Sequence, residues 1–268
     1  MAIACSTSLG HRQTLDETCA RLARLGFRHV DILAIDGWVH IHTRDLAANF
    51  ESTAAGVEAI LASHALTPLA LNSGVGPQLH DRSAEACARR QAEIAGLLRL
   101  MQRLGVGVAA IQPRNPDPRR PEAEVLSDCI ATLREQFAAG DAAGVQFALE
   151  LHVRSPFETL EQARRLFAAL PEARVVYDPT HAVCQGIDLT ALDWVLPHAC
   201  HVHLRDAAPG QLQAPFGEGA VDFDRALGML KDADYQGHFS IEYFDAPEFD
   251  VEASVLRLRD KIASHFGE

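Results

Sequence analysis

The chain has 268 residues, 36 acidic against 24 basic, a formal net charge of −12 and 48% hydrophobic residues. This length fits one α/β barrel of about 250 residues. The negative charge argues against a nucleic-acid partner, because such affinity comes mainly from Lys and Arg neutralising phosphates, so a small-molecule substrate is the expectation. No stretch has the apolar length to span a bilayer. The start, Met-Ala-Ile-Ala-Cys, lacks the basic and apolar regions of a secretion signal. Six scattered cysteines without a C-x-x-C pair read as free thiols, and the expected location is the cytoplasm.

Residues 2 to 8 read as a first strand. A helix follows from about 15 to 25, opened by the Thr14–Glu17 capping-box pair and closed by Gly26. A second strand spans about 28 to 34, then comes a loop with Trp38, His40 and His42, and a helix from about 45 to 64. Strand three, 68 to 72, ends at Asn72 before the loop Ser73-Gly74-Val75-Gly76-Pro77. A long helix, 83 to 104, stops at Gly105. Strand four, 106 to 112, ends at Gln112, and Pro121 starts a helix that ends near Gly140.

The second half repeats one design four times. Phe147-Ala148-Leu149 runs into Glu150, Val175-Val176-Tyr177 into Asp178, Cys200-His201-Val202 into His203, and Phe239-Ser240-Ile241 into Glu242. Helices are expected at about 156 to 169, 188 to 196, 222 to 233 and 251 to 266. Eight strand-then-helix units imply a parallel sheet, and within this length a closed (β/α)8 TIM barrel, with the whole chain 1–268 as one domain. Active sites of such barrels lie at the C-terminal strand ends, where these four residues sit. Side chains alternate across a strand, so His203 shares its face with His201, and Glu242 with Ser240. Two bare carboxylates about 4 Å apart repel by roughly 4 kcal/mol at an effective dielectric near 20. The only lysines, Lys231 and Lys261, read as helical surface, so a divalent metal is the economical counter-charge.

These motifs make the chain resemble the xylose-isomerase-like TIM-barrel superfamily of sugar isomerases, epimerases and dehydratases. They are Leu-Glu150-Leu-His, Tyr-Asp178-Pro-Thr-His181, His201-Val-His203-Leu-Arg-Asp206, Phe216-Gly-Glu-Gly-Ala-Val-Asp222 and Ser-Ile-Glu242-Tyr. The resemblance implies that Glu150, Asp178, His203 and Glu242 bind one divalent metal and that His181 touches substrate or a second metal. In its ketose 3-epimerase branch the two metal-binding glutamates also move a proton beside a carbonyl, which gives those roles to Glu150 and Glu242. A metal chelated by a carbonyl and a hydroxyl acidifies the intervening C–H, and a carboxylate on each face removes and returns the proton. Three oxygen ligands and one imidazole suit Mn, Mg or Co, with Zn also compatible.

His152, one step above Glu150 on the inward face, and Arg205, where relatives often have lysine, are substrate-contact candidates. Arg205 has a rival reading as a surface charge paired with Asp206. Glu158 is either a further catalytic carboxylate or the partner of Ser155 in a helix cap, the cap being favoured. Asn72 and Gln112 are candidates for bonds to sugar hydroxyls, Glu218 for a loop over the site, and Cys184 reads as a buried thiol. The expected function is an isomerase or 3-epimerase of a small ketose, keto-polyol or sugar acid; the sequence leaves the oligomeric state open, although relatives often form dimers or tetramers. The alternatives are a dehydratase of the inosose or dehydroshikimate kind, a repair endonuclease of the endonuclease IV type, and a non-catalytic sugar sensor.

Overall fold

The computed structural model describes residues 1–266. Its strands are β1 (Ile3–Ser6), β2 (His29–Ile35), β3 (Thr67–Gly74), β4 (Val108–Ile111), β5 (Gln146–Glu150), β6 (Val175–Tyr177), β7 (Ala199–Leu204) and β8 (Phe239–Ile241). They pair in chain order, and β8 returns to β1 in parallel, with Ile3 opposite Phe239, so the sheet is a closed barrel. The helices are α1 (Leu15–Arg24), α2 (Thr43–Ala48), α3 (Phe50–Ser63), α4 (Ala84–Leu104), α5 (Glu122–Ala142), α6 (Leu160–Ala169), α7 (Pro179–Cys184), α8 (Phe223–Asp232) and α9 (Val251–Phe266). The chain is therefore the (β/α)8 barrel its alternation implies. Among the described residues no helix is long and apolar enough to cross a membrane.

Local chemistry explains most boundaries. Thr14 and Glu17 form the anticipated reciprocal cap on α1, and Gly105 closes α4 in the left-handed region at φ 69°. Four expectations need correction. The first strand stops at Ser6, whose hydroxyl accepts from Ser8 N and turns the chain into a 3-10 helix over Thr7–Gly10. The helix expected over 45–64 is two, because Asn49 leaves helical geometry (φ −138°, ψ 49°) between α2 and α3.

β3 runs on to Gly74, which places Asn72 inside the strand, whereas Gln112 lies one residue beyond β4. Finally, α6 begins at Leu160, capped reciprocally by Thr159 and Gln162. Ser155 and Glu158 therefore form no helix cap: Phe157 between them is fully buried, and the Ser155 hydroxyl accepts from Phe157 N at 3.0 Å in a turn.

Two compact units make up the chain. The first comprises Met1–Ile32, Ile60–Leu69 and Val176–Glu268. In it β1 pairs with β8 and β8 with β7, and α9 packs on both β1 and β8. Arg21 of α1 fastens this layer through Glu252 (2.6 Å) and Asp245 (3.0 Å).

The second unit comprises Leu33–Ala59 and Ala70–Val175, with β4 paired to both β3 and β5. Here α2 packs on α4 at Gly96, where any Cβ would stand 2.8 Å from the Leu46 backbone, so only glycine fits. Glu93 of α4 is almost fully buried and accepts from Thr43 Oγ1 (2.5 Å), Gly76 N (2.6 Å) and Arg89 (2.6 Å). That buried carboxylate holds the loop after β3 in place.

Candidate metal-binding and catalytic site

In the first unit the ends of β6, β7 and β8 bring Asp178, His203 and Glu242 together. One ligand-type atom from each lies within 4.8 Å of those of the other two. All three residues are buried. Asp178 directly follows β6 and caps α7: Oδ1 accepts from Thr180 N at 2.8 Å, and Pro179 pre-sets the first helical φ. Pro179 and Thr180 thus form the start of a helix. The cap uses one carboxylate oxygen only. Oδ2 accepts no hydrogen bond and lies 3.4 Å from Nε2 of His181, which α7 carries one turn on.

His201 and His203 point to the same face of β7, and both present Nε2 to a single oxygen, Oδ2 of Asp31, at 3.1 Å each. Asp31 lies on β2, is completely buried, and was not anticipated from sequence. A parity argument would have found it, since a carboxylate inside Val30-Asp31-Ile32-Leu33 is anomalous in an apolar strand. Burial pushes the Asp31 carboxyl up, but hydrogen bonds from His201 and His203 more than reverse this and hold it well below the usual carboxylate range. Burial also pulls His201 below its ordinary value, against the opposing pull of Asp31.

An ionised carboxylate only accepts, so it selects the Nε2–H form of each ring. Nδ1 of His203 then presents its lone pair, and Glu242 Oε2 lies 3.5 Å from it.

Arg205 supplies one positive charge, and of its two readings from sequence, a substrate contact or a surface charge paired with Asp206, burial rules out the second. The residue is only 3% exposed. Nη1 donates to the Glu242 carboxylate and to the Glu242 carbonyl, both at 2.9 Å, and Nε donates to Leu212 O at 2.9 Å, while Nη2 stands 3.9 Å from Asp178 Oδ2. Counted as ionised, Asp31, Asp178 and Glu242 outnumber Arg205, so this unit alone carries an excess of negative charge. A cation would offset that excess, and Asp178 Oδ2, His203 Nδ1 and Glu242 are donors of a type that suits a divalent metal.

Asp206 does something else: it accepts from Gly217 N (2.8 Å), Gly219 N (3.2 Å), Val221 N (3.2 Å) and Ala207 N (2.9 Å). The Phe216-Gly-Glu-Gly motif is therefore a loop wrapped on a buried carboxylate, and its Glu218 side chain is exposed. Cys184 is half-buried, not buried as expected, because it ends the short α7 rather than lying in a packed strand.

In the second unit Glu150 ends β5 and is 1% exposed. The Gln112 amide donates both to its carboxylate and to Asn72 Oδ1 (3.0 Å). The Gln112 amide nitrogen, a candidate for a sugar hydroxyl, thus gives one proton to Glu150 and the other to Asn72. His152 is half-buried two residues on, with Nδ1 against Val153 O.

Comparison with known proteins agrees with this architecture. A family model described as xylose isomerase-like TIM barrel matches residues 19–261, and the chain belongs to that family. L-ribulose-5-phosphate 3-epimerase UlaE of Escherichia coli (strain K12 / DH10B) is 36% identical over 72 residues, a stretch covering 26% of this chain and 25% of the epimerase. A solved L-ribulose 3-epimerase superposes with a TM-score of 0.76 at 18% identity, over 100% of this chain and 95% of that one. The IOLI protein with a bound zinc atom superposes with a TM-score of 0.75 at 19% identity, over the whole of both chains. At these identities the two structures establish the fold.

Proposed function

We propose that the protein is a divalent-metal-dependent isomerase or 3-epimerase of a small ketose, keto-polyol or sugar acid. Asp178, His203 and Glu242 hold the metal, with Glu150 as its fourth ligand. The observation that carries this reading is the convergence of Asp178, His203 and Glu242, one ligand-type atom from each lying within 4.8 Å of the others, with an Asp178 oxygen among them that accepts no hydrogen bond. The similarity to UlaE, an epimerase, and the zinc in the IOLI structure support it. A bound divalent ion supplies Lewis acidity to the substrate carbonyl and its neighbouring hydroxyl.

The chain's own residues do the rest. Glu150, steadied by Gln112, and Glu242, steadied by Arg205, are the two carboxylates that remove and return a proton at the carbon beside the carbonyl. His181 and His152 contact the substrate, and Arg205 lines the same side of the site. Deep burial of Glu242 and His203 keeps bulk water from competing for the proton.

The test is hydrogen exchange between ketose substrates and heavy water, with the metal content of protein purified without chelator measured alongside. Metal at one equivalent and exchange without loss of the carbonyl compound are expected. Glu242→Gln should lower exchange by about a hundredfold or more. Full activity in that variant, or protein that binds no divalent ion, refutes the assignment.

A further inference from the structure

The second unit contains a cavity of about 310 Å3, at the small end of the roughly 300–1000 Å3 usual for small-molecule sites. Ile35, Trp38, Gln112, Arg114, His152 and Arg154 contribute to its walls. Gln112 joins it to the chemistry, because the same amide donates to Glu150. The two arginines come from different loops, after β4 and after β5. Both hold a left-handed backbone, at φ 62° and 61°, and they are two of the four non-glycine residues that do so among those described. Each such residue costs on the order of 1 kcal/mol, and strain of this kind is retained where the surroundings over-determine it, as at ligand sites.

Neither guanidinium makes an ion pair among the described residues. Arg154 is exposed. Arg114 donates through Nη2 to Gly74 O at 2.7 Å, while its buried Nε has no hydrogen-bond partner. Burial pulls the Arg114 guanidinium below its ordinary range, and Glu93 and Asp36 offset this only in part. Trp38, 46% exposed, adds a flat apolar wall suited to the C–H face of a sugar. A chain of net charge −12 repels anions at long range, so two unpaired guanidiniums sharing a cavity mark a local reversal.

We propose that this cavity is a subsite for the anionic terminus of the substrate, a phosphate or a carboxylate, gripped between Arg114 and Arg154 with Trp38 along the carbon chain. Planar guanidiniums pair with both kinds of anion through paired N–H···O bonds. The proposal rests on the isomerase reading, since the cavity wall and Glu150 share Gln112.

Calorimetry on the full chain loaded with Mn2+, using a ketopentose 5-phosphate, a keto-hexuronate and a neutral ketohexose, tests it. At least one anionic probe should bind about tenfold or more tightly than the neutral one, and which of them does so separates phosphate from carboxylate. Arg154→Ala alters an exposed side chain and should remove most of that preference, with Arg154→Lys restoring part of it; Arg114→Gln should weaken it as well. Equal binding of all three probes, no binding of either anion, or a preference unchanged in both Arg154→Ala and Arg114→Gln overturns the proposal. Exchange with heavy water is followed separately on the wild type. Its absence refutes the isomerase reading, whereas the anion preference stands or falls by calorimetry alone.

Discussion

Asp31 offers the sharpest test of how the site is built, because one oxygen of one carboxylate sets the protonation of two histidines. In Asp31→Ala, Nε2 of both His201 and His203 loses its acceptor in a fully buried place. Each stranded donor costs about 1–3 kcal/mol, so the destabilisation is at least about 2 kcal/mol, or roughly 4–8 °C in melting temperature for a chain of this size. Asp31→Asn preserves the volume and one accepting oxygen but removes the charge, so its stability should stay closer to the wild type.

The affinity effect separates positioning from mere packing. With no carboxylate to hold the proton on Nε2, His203 can carry it on Nδ1, the nitrogen that faces Glu242, and the ligand lone pair is then lost. Second-sphere changes of this kind cost about 10–100-fold in metal affinity. The assay is Mn2+ titration of Asp31→Asn beside thermal melts of the metal-free protein. Metal affinity equal to that of the wild type, with Glu242→Gln clearly weakened, would show that the Asp31–His203 bond is packing only and refute the tautomer argument.

Arg205→Met should destabilise chelator-treated protein by about 3–5 kcal/mol, since it leaves Glu242 buried against Asp178 without its cation. The loss should shrink when Mn2+ is present, and equal losses with and without metal in a melting experiment count against a cation at this site. The buried thiols predict an alkaline limb. Burial pushes Cys19 and Cys129 from 9.0 up to about 12, and because the folded value lies above the unfolded one, their contribution is complete below pH 9 and lost as pH rises from 9 towards 12. Melting temperature should therefore fall more steeply between pH 9 and 11 in the wild type than in Cys19→Ala/Cys129→Ala, and identical slopes would remove the thiols as the cause. The whole chain is also expected to act as one domain, so calorimetric and van't Hoff enthalpies of unfolding should agree, whereas two resolved transitions would divide it.

Much of this protein is local and therefore legible in one dimension. Periodicity and capping signals place α1, α4 and the strands, because a Thr14–Glu17 box or a left-handed Gly105 acts within one helical turn. The ends of β5 to β8 could be read as chemistry because a carboxylate or imidazole that closes a β-branched run has nowhere apolar to go. Boundaries shifted where local signals competed: Ser155–Glu158 and Thr159–Gln162 both spell a cap, and the burial of Phe157 decided between them.

Tertiary structure alone decided the electrostatics. Arg205 can be read in sequence as a substrate contact or as a surface charge next to Asp206, and only strand pairing turns it inward onto Glu242, 37 residues away in the chain, and turns Asp206 onto a glycine loop. Asp31 and His203 are 172 residues apart, and no local pattern announces that they share a proton. Residue types and their spacing along the chain determine which groups can do chemistry. Which lone pair faces which is a matter of through-space distance, and that exists only once β2, β7 and β8 have closed around the same interior.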